Sequence, residues 1–155
     1  RYQGSFQVEY EISEEAYRCY IPRLILQPLV ENAIYHGLEP QKGNGTVTIR
    51  ARLHNEELVV VVQDDGIGMA PEEVDRLRAA LPGARIFPVS AATRKGFEPL
   101  LHAAAFAKRS IGLANIAQRI RLFSRDRCAI EIRSRRGEGT SVCIRLPSRR
   151  QDPSC

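Results

Sequence analysis

One stretch constrains the fold of this chain more than any other. GTVTIRARLHNEELVVVVQDD, Gly45 to Asp65, holds two strand-like runs separated by a turn at His54, Asn55 and Glu56. The second run carries four consecutive valines, Val59 to Val62. Two strands this close in sequence pair as a hairpin, so the fold contains a sheet. The valine run ends in Asp64 and Asp65, followed by Gly66, Ile67, Gly68 and Met69. A surface turn needs one glycine and no methionine. A carboxylate at the end of an apolar strand implies a hydrogen-bonding role, and paired glycines imply close approach to the backbone.

The other segments are read against that sheet. SFQVEYEI, Ser5 to Ile12, alternates with period two, as a half-buried strand does. IPRLILQPLVENAIYHGL, Ile21 to Leu38, reads as a helix with Pro22 in its first turn and Gly37 as its C-terminal cap. Pro28 falls inside it and predicts a kink or a later start. APEEVDRLRAAL, Ala70 to Leu81, is a second helix, with acids in its first turn opposing the helix dipole. Between Pro82 and Arg109 the pattern dissolves, apart from a short helix at PLLHAAAF. IGLANIAQRIRLF is helical, and AIEIRSRRGEGTSVCIRLP is a closing hairpin. Strands and helices do not alternate strictly, and two hairpins favour a mixed, mostly antiparallel sheet with helices on one face. The expected fold is therefore a two-layer α/β sandwich. The segment before SIGLANI is long for a connection and is expected to be a lid or binding loop.

The length of 155 residues suits one domain, assigned to 1–147, with 148–155 a disordered tail. The abrupt, strand-like opening suggests a piece of a longer protein. No apolar run is long enough to cross a bilayer, and no secretory signal pattern is present. The net charge of +5 is modest. Arg133, Arg135 and Arg136, and Arg145, Arg149 and Arg150, are read as a solvated face and a tail. Aromatic residues do not interleave with them, which argues against nucleic acid as a partner. Cys19, Cys128, Cys143 and Cys155 have no metal-like or redox-motif spacing and are read as free thiols in a reducing cytosol.

Four stretches carry candidate chemistry. On the first helix, Gln27, Glu31 and Tyr35 form one i, i+4, i+8 row and Pro28, Asn32 and His36 another beside it. The result is a polar strip on an otherwise apolar helix. A solvated stripe explains it, and so does a magnesium–phosphate site, because Mg²⁺ takes oxygen ligands and few of them from protein. In the DDGIGM stretch, Asp64 can accept a hydrogen bond from an amino group such as adenine's. Gly66 and Gly68 allow positive φ and close approach, and Met69 offers a polarisable surface to a flat ring. SIGLAN, Ser110 to Asn115, puts a glycine at a helix start, where free N–H groups can hold a phosphate. GEGTS, Gly137 to Ser141, is an ordinary hairpin turn in isolation.

Taken together and in this order, LQPLVENAIYHG, DDGIGM, IGLANIAQRI and GEGTSVCIRLP resemble the ATP-binding domain of bacterial sensor histidine kinases. That superfamily includes gyrase, the ninety-kilodalton heat-shock chaperones and the mismatch-repair ATPases. LQPLVENAI with IGLAN looks most like the LytS/YesM-type kinases. The resemblance runs from Arg1 to about Pro147 and implies the Bergerat α/β sandwich. It implies that Asn32 coordinates the Mg²⁺ that bridges the ATP phosphates, with Glu31 beside it either supporting the metal's ligands from behind or accepting a proton. Asp64 would receive the adenine amino group, assisted by water and Thr140. Gly66, Gly68 and Met69 would line the base, and His36 would join the nucleotide contacts. Lys108, Arg109, Ser110, Gly112 and Leu113 would meet the phosphates at the end of a lid. The implied reaction transfers the ATP γ-phosphoryl group to a histidine on a separate phosphoacceptor domain, with a response regulator downstream. The implied setting is the cytoplasmic side of an inner-membrane-anchored bacterial kinase.

The chain departs from that pattern in three places. A second glycine box often reads Gly-x-Gly, where this chain has Lys108, Arg109 and Ser110. Either phosphate binding is weaker or basic charge replaces backbone contacts. The basic residue often found three after the box asparagine is Tyr35 here, and Lys95, Lys108 and Arg109 are the candidates to replace its charge. The lid is also longer than the subfamily's. None of His36, His54 and His102 sits in a phosphoacceptor-like context. Two rival readings share the fold: a nucleotide-sensing or protein-docking module without transfer activity, and a serine-kinase-type anti-sigma factor.

Overall fold

The structure is a computed structural model, and it describes residues 6–21, 23–41, 44–80, 85–88 and 129–148. Six strands form one mixed sheet. They are β1 (Phe6–Ile12), β2 (Gly45–His54), β3 (Glu57–Asp64), β4 (Arg85–Pro88), β5 (Ala129–Arg135) and β6 (Gly139–Pro147). Their spatial order is β1-β2-β3-β6-β5-β4. The two outer pairs, β1 with β2 and β4 with β5, are parallel, and the inner pairs are antiparallel. Three α-helices are described: α1 (Glu14–Tyr17), α2 (Arg23–Asn32) and α3 (Pro71–Ala80).

The β2–β3 hairpin closes on two residues, because His54 pairs with Glu57. Asn55 and Glu56 both take positive φ, 48° and 61°. That is the turn whose twist matches the strands it joins. Along β3, Leu58, Val60, Val62 and Asp64 face one side, and β6 sets Leu146, Ile144, Val142 and Thr140 opposite them. Ile130, Ile132 and Ser134 of β5 continue the same side. Helix α2 covers it with Ile25 and Leu29, and the next turn adds Ala33, on the i, i+4, i+8 row that one helix face provides. Helix α3 adds Val74 and Leu77. Burying each of these large side chains contributes about 1.5–3 kcal/mol. The sandwich is therefore two layers with its helices on one face.

The other face is polar. Arg50 bridges Glu11 and Gln63 there at 2.7 and 2.9 Å, and Arg133 pairs with Glu131. Val59 points to this face and is still buried, being flanked in register by Arg52 and Arg145, whose aliphatic stems suit such cover. No helix among the described residues is long and apolar enough to cross a membrane.

Several elements differ from the expectation. Helix α2 runs through Pro28 from Arg23, and its end is not a glycine cap. The chain instead widens into a π-helical turn, Ala33–Leu38, in which the Glu39 N–H donates to the Ile34 carbonyl. Gly37 is buried inside that turn. A four-residue strand, β4, lies where the pattern dissolves, and it pairs in parallel at the sheet edge. Helix α1, capped by Ser13, is short enough to show no periodicity. The expected helices at PLLHAAAF and IGLANIAQRIRLF, and all but Ser148 of the tail, lie outside the described residues.

Candidate functional site

Four strands meet at one row. Val47, Asp64, Thr140 and Ser134 stand opposite one another across β2, β3, β6 and β5, at the end of the helix-covered face. Three of the four are polar, and all three are buried: Asp64 at 2% exposure, Thr140 at 3% and Ser134 at 4%. A buried carboxylate is costly unless it is hydrogen-bonded. Asp64 Oδ1 accepts the Gly66 N–H at 3.0 Å. The two aspartates have different work. Asp65 is exposed, and its Oδ1 accepts the Thr46 N–H at 2.7 Å, fixing the start of β2.

The glycines beside them answer to the protein's own backbone. A Cβ on Gly66 would run into the backbone of Gly37, and a Cβ on Gly37 would lie 2.5 Å from Asp64 Oδ1. Gly68 takes φ of 63° and abuts the Arg135 carbonyl. Hydrogen bonds complete the stitching. The Ile67 N–H donates to the Gly37 carbonyl at 3.0 Å, and the Gly137 N–H donates to the Ile67 carbonyl at 2.8 Å. Residues 66–69 thus tie the π-helical turn to the β5–β6 hairpin. Met69 is 2% exposed and belongs to the hydrophobic core. The Ala70 N–H donates to Glu73 Oε2 at 2.7 Å and starts helix α3, with Pro71 as its first residue.

Ser134 was not anticipated. Its Oγ accepts the Met69 N–H at 2.8 Å, lies 2.9 Å from Thr140 Oγ1, and donates to the Gly139 carbonyl at 3.2 Å. The signal was present: in AIEIRS the inward positions are Ile130, Ile132 and Ser134, so a hydroxyl takes an apolar phase.

The helix end supplies the second polar group. Asn32 is 7% exposed, and its Oδ1 is buried without a hydrogen-bond partner. Leaving a buried acceptor unpaired costs about 1–3 kcal/mol, so the atom calls for a partner. Glu31, its neighbour, is exposed and accepts from Gln27 Nε2 at 2.8 Å. His36 is half-buried in the π-helical turn. Asn32 and His36 of the helical segment, Asp64, Gly66, Gly68 and Met69 of the loop, and Thr140 of the hairpin are therefore all described. Lys108, Arg109, Ser110, Gly112 and Leu113 lie outside the described residues.

An unpaired buried amide oxygen fits magnesium, a hard cation that takes oxygen ligands. Among the described residues no group of three or more His, Cys, Asp or Glu is placed to hold a metal. A magnesium here would draw most of its ligands from phosphate and water, as that ion commonly does.

Comparison with known proteins gives a consistent picture. Residues 21–150 match the family described as histidine kinase-, DNA gyrase B-, and HSP90-like ATPase. The sensor histidine kinase YpdA of Escherichia coli is 42% identical over 87 residues, 56% of this chain and 15% of that protein. An uncharacterised sensor-like histidine kinase of Staphylococcus epidermidis is 30% identical over 149 residues, 95% of this chain and 24% of that protein. The chain thus spans a quarter or less of the length of these curated relatives. Among solved structures, the histidine kinase domain of the blue-light activated kinase EL346 of Erythrobacter litoralis superposes with a TM-score of 0.55 at 21% identity. That match covers 94% of this chain and 52% of that one, and it shows the same fold.

Proposed function

This chain belongs to the histidine kinase-, DNA gyrase B- and HSP90-like ATPase family, and from that premise we propose that it is the ATP-binding catalytic domain of a two-component sensor histidine kinase. It would transfer the γ-phosphoryl group of ATP to a histidine on a separate domain, and a response regulator would receive the group next. The whole kinase would be anchored in the inner membrane, with this domain in the cytoplasm.

The observation that carries the reading is the burial of two polar groups, Asp64 beside Thr140 at the end of the helix-covered sheet face and the orphaned Asn32 at the end of α2. Asp64 would accept the adenine amino group, with Thr140 beside it. Asn32 would hold Mg²⁺ through Oδ1, with His36 among the nearby nucleotide contacts. Bound magnesium would neutralise charge on the phosphate oxygens, the main requirement of phosphoryl transfer. Glu31, exposed at the site's edge, would take the acceptor's proton. Lys108, Arg109, Ser110, Gly112 and Leu113 would meet the phosphates, with basic charge in place of one glycine. Gly66, Gly68 and Met69 would shape the floor of the base pocket from behind, since their nearest neighbours are the protein's own.

Calorimetric titration with ATP and Mg²⁺ tests the reading. Asp64→Asn removes a charged acceptor and should weaken binding about tenfold to a hundredfold. Asn32→Leu removes an unsatisfied polar group, so it should keep or raise the melting temperature of the ligand-free protein while abolishing the magnesium dependence of binding. A folded domain that binds no ATP, or binds it equally well in both variants, would overturn the proposal.

A further inference from the structure

We infer that the free edge of β1 takes up an extended segment of a partner protein, in which apolar residues alternate with lysine or arginine, as a further strand of the sheet. The inference is independent of the nucleotide site proposed above.

The two edges of the sheet are built differently. A sheet edge is a row of unpaired N–H and C=O groups, and proteins blunt it with short strands, proline, lysine or bulges. β4 has four residues and ends at Pro88. β1 has seven, with no proline, glycine or lysine among them. Among the described residues it pairs only with β2, in unbroken register from Phe6 to Ile12. One edge is closed to strand addition and the other is open to it.

The core side of β1 is incompletely covered. Phe6, Val8, Tyr10 and Ile12 stand beside Gly45, Val47, Ile49 and Ala51 and share their face. Phe6 and Val8 pack against the main core, and Ile12 packs against Ala16, Leu58 and Val60. Tyr10, between them, is 65% exposed. The helix layer thus stops short of the middle of β1. Tyr17 and Tyr20, in the segment that follows, are exposed as well. Tyrosine is a common anchor of interfaces, with a flat apolar ring and a polar tip.

Charge selects the occupant. The opposite side of β1 shows Gln7, Glu9 and Glu11, all exposed. Arg50 takes Glu11 at 2.7 Å, and Glu9 makes no ion pair among the described residues. The chain carries +5 overall, yet residues 6–21 hold Glu9, Glu11, Glu14 and Glu15 against Arg18 alone. An added strand continues both faces of the sheet, so its residues beside Tyr10 are apolar and those beside Glu9 basic. A second copy fits poorly. Two β1 strands paired antiparallel over their full length set Glu9 against Glu9, and like charges directly opposite destabilise.

The test is fluorescence anisotropy with a labelled, end-capped synthetic peptide of alternating lysine and valine, added to the unchanged chain. Binding should weaken about tenfold or more when the same residues are placed in separate lysine and valine blocks, or when every other peptide nitrogen is methylated and cannot pair with an edge. Glu9→Lys and Tyr10→Ser should each weaken it about fivefold to tenfold. Both positions are exposed, and circular dichroism checks that the variants fold. Adding the peptide should slow amide hydrogen exchange within Phe6–Ile12. A folded chain that does not bind the peptide would overturn the inference. So would binding indifferent to residue order or to Glu9→Lys, which is charge attraction alone, or exchange slowed only outside β1. Sedimentation showing dimers whose protected amides are those of β1 would overturn it too, because a second copy would then hold the edge.

Discussion

Gly37→Ala should destabilise the domain, although a simple reading of the sequence gives the opposite sign. Glycine in a helical segment costs about 1 kcal/mol relative to alanine, so the substitution would stabilise an open helix end. Here the added methyl would stand 2.5 Å from Asp64 Oδ1 and 2.6 Å from its Cγ. Neither is a contact that a real carbon makes. The carboxylate cannot swing freely aside, because it is buried and held by the Gly66 N–H. The Gly37 backbone cannot retreat without breaking its 3.0 Å bond from Ile67. Overpacking of this kind costs about 1–3 kcal/mol, and charged groups forced from their partners add to it. After the propensity gain, the net loss is about 1–2 kcal/mol, or roughly 2–8 °C in Tm for a chain of this size. Thermal melts followed by circular dichroism, with a urea titration for the free energy, measure it. ATP affinity should fall as well, since Asp64 is displaced. A Tm that stays the same or rises would refute the argument, because it would mean that Gly37 has room.

Other perturbations separate further parts of the structure. Glu56→Gly relieves a positive φ of 61° in the β2–β3 turn and should stabilise by up to about 1 kcal/mol, read from urea denaturation. Met69→Ala should cost about 2–5 kcal/mol in the ligand-free protein, as a core deletion does; a loss below 1 kcal/mol would show that Met69 is not a core residue. Burial is the largest cause pushing the Cys143 thiol pKa up, so the folded state holds the proton more tightly than the unfolded one. Its contribution to stability is present below the ordinary thiol pKa and is lost as pH rises through the raised one. Melting curves across the alkaline range should therefore decline less steeply for Cys143→Ala than for the unchanged protein.

The sequence is most informative where one physical rule acts alone. The valine run and the alternation of Phe6–Ile12 report strands because side-chain period two follows directly from the backbone. Asp64 stood out because a carboxylate ending an apolar strand needs a partner. The glycines were harder. Their presence in DDGIGM implied close approach but not what approaches, and the nearest atoms are those of Gly37 and Arg135. Gly37 looked like a cap because local pattern cannot distinguish a helix that ends from one that widens. Ser134 was overlooked because its role depends on Met69, distant in sequence. β4 escaped notice because four residues at a sheet edge carry too little alternation to read.

The strand order has a consequence for how the chain assembles. β3 and β6 are central neighbours, yet Asp64 pairs with Thr140 across everything between them in sequence. The strands β4 and β5 thus fall in sequence between two strands that are neighbours in the sheet. The register of Asp64, Thr140 and Ser134 is set by the β3–β6 and β5–β6 ladders themselves. The same topology delays assembly, because the central pair cannot form until the last strand has been synthesised.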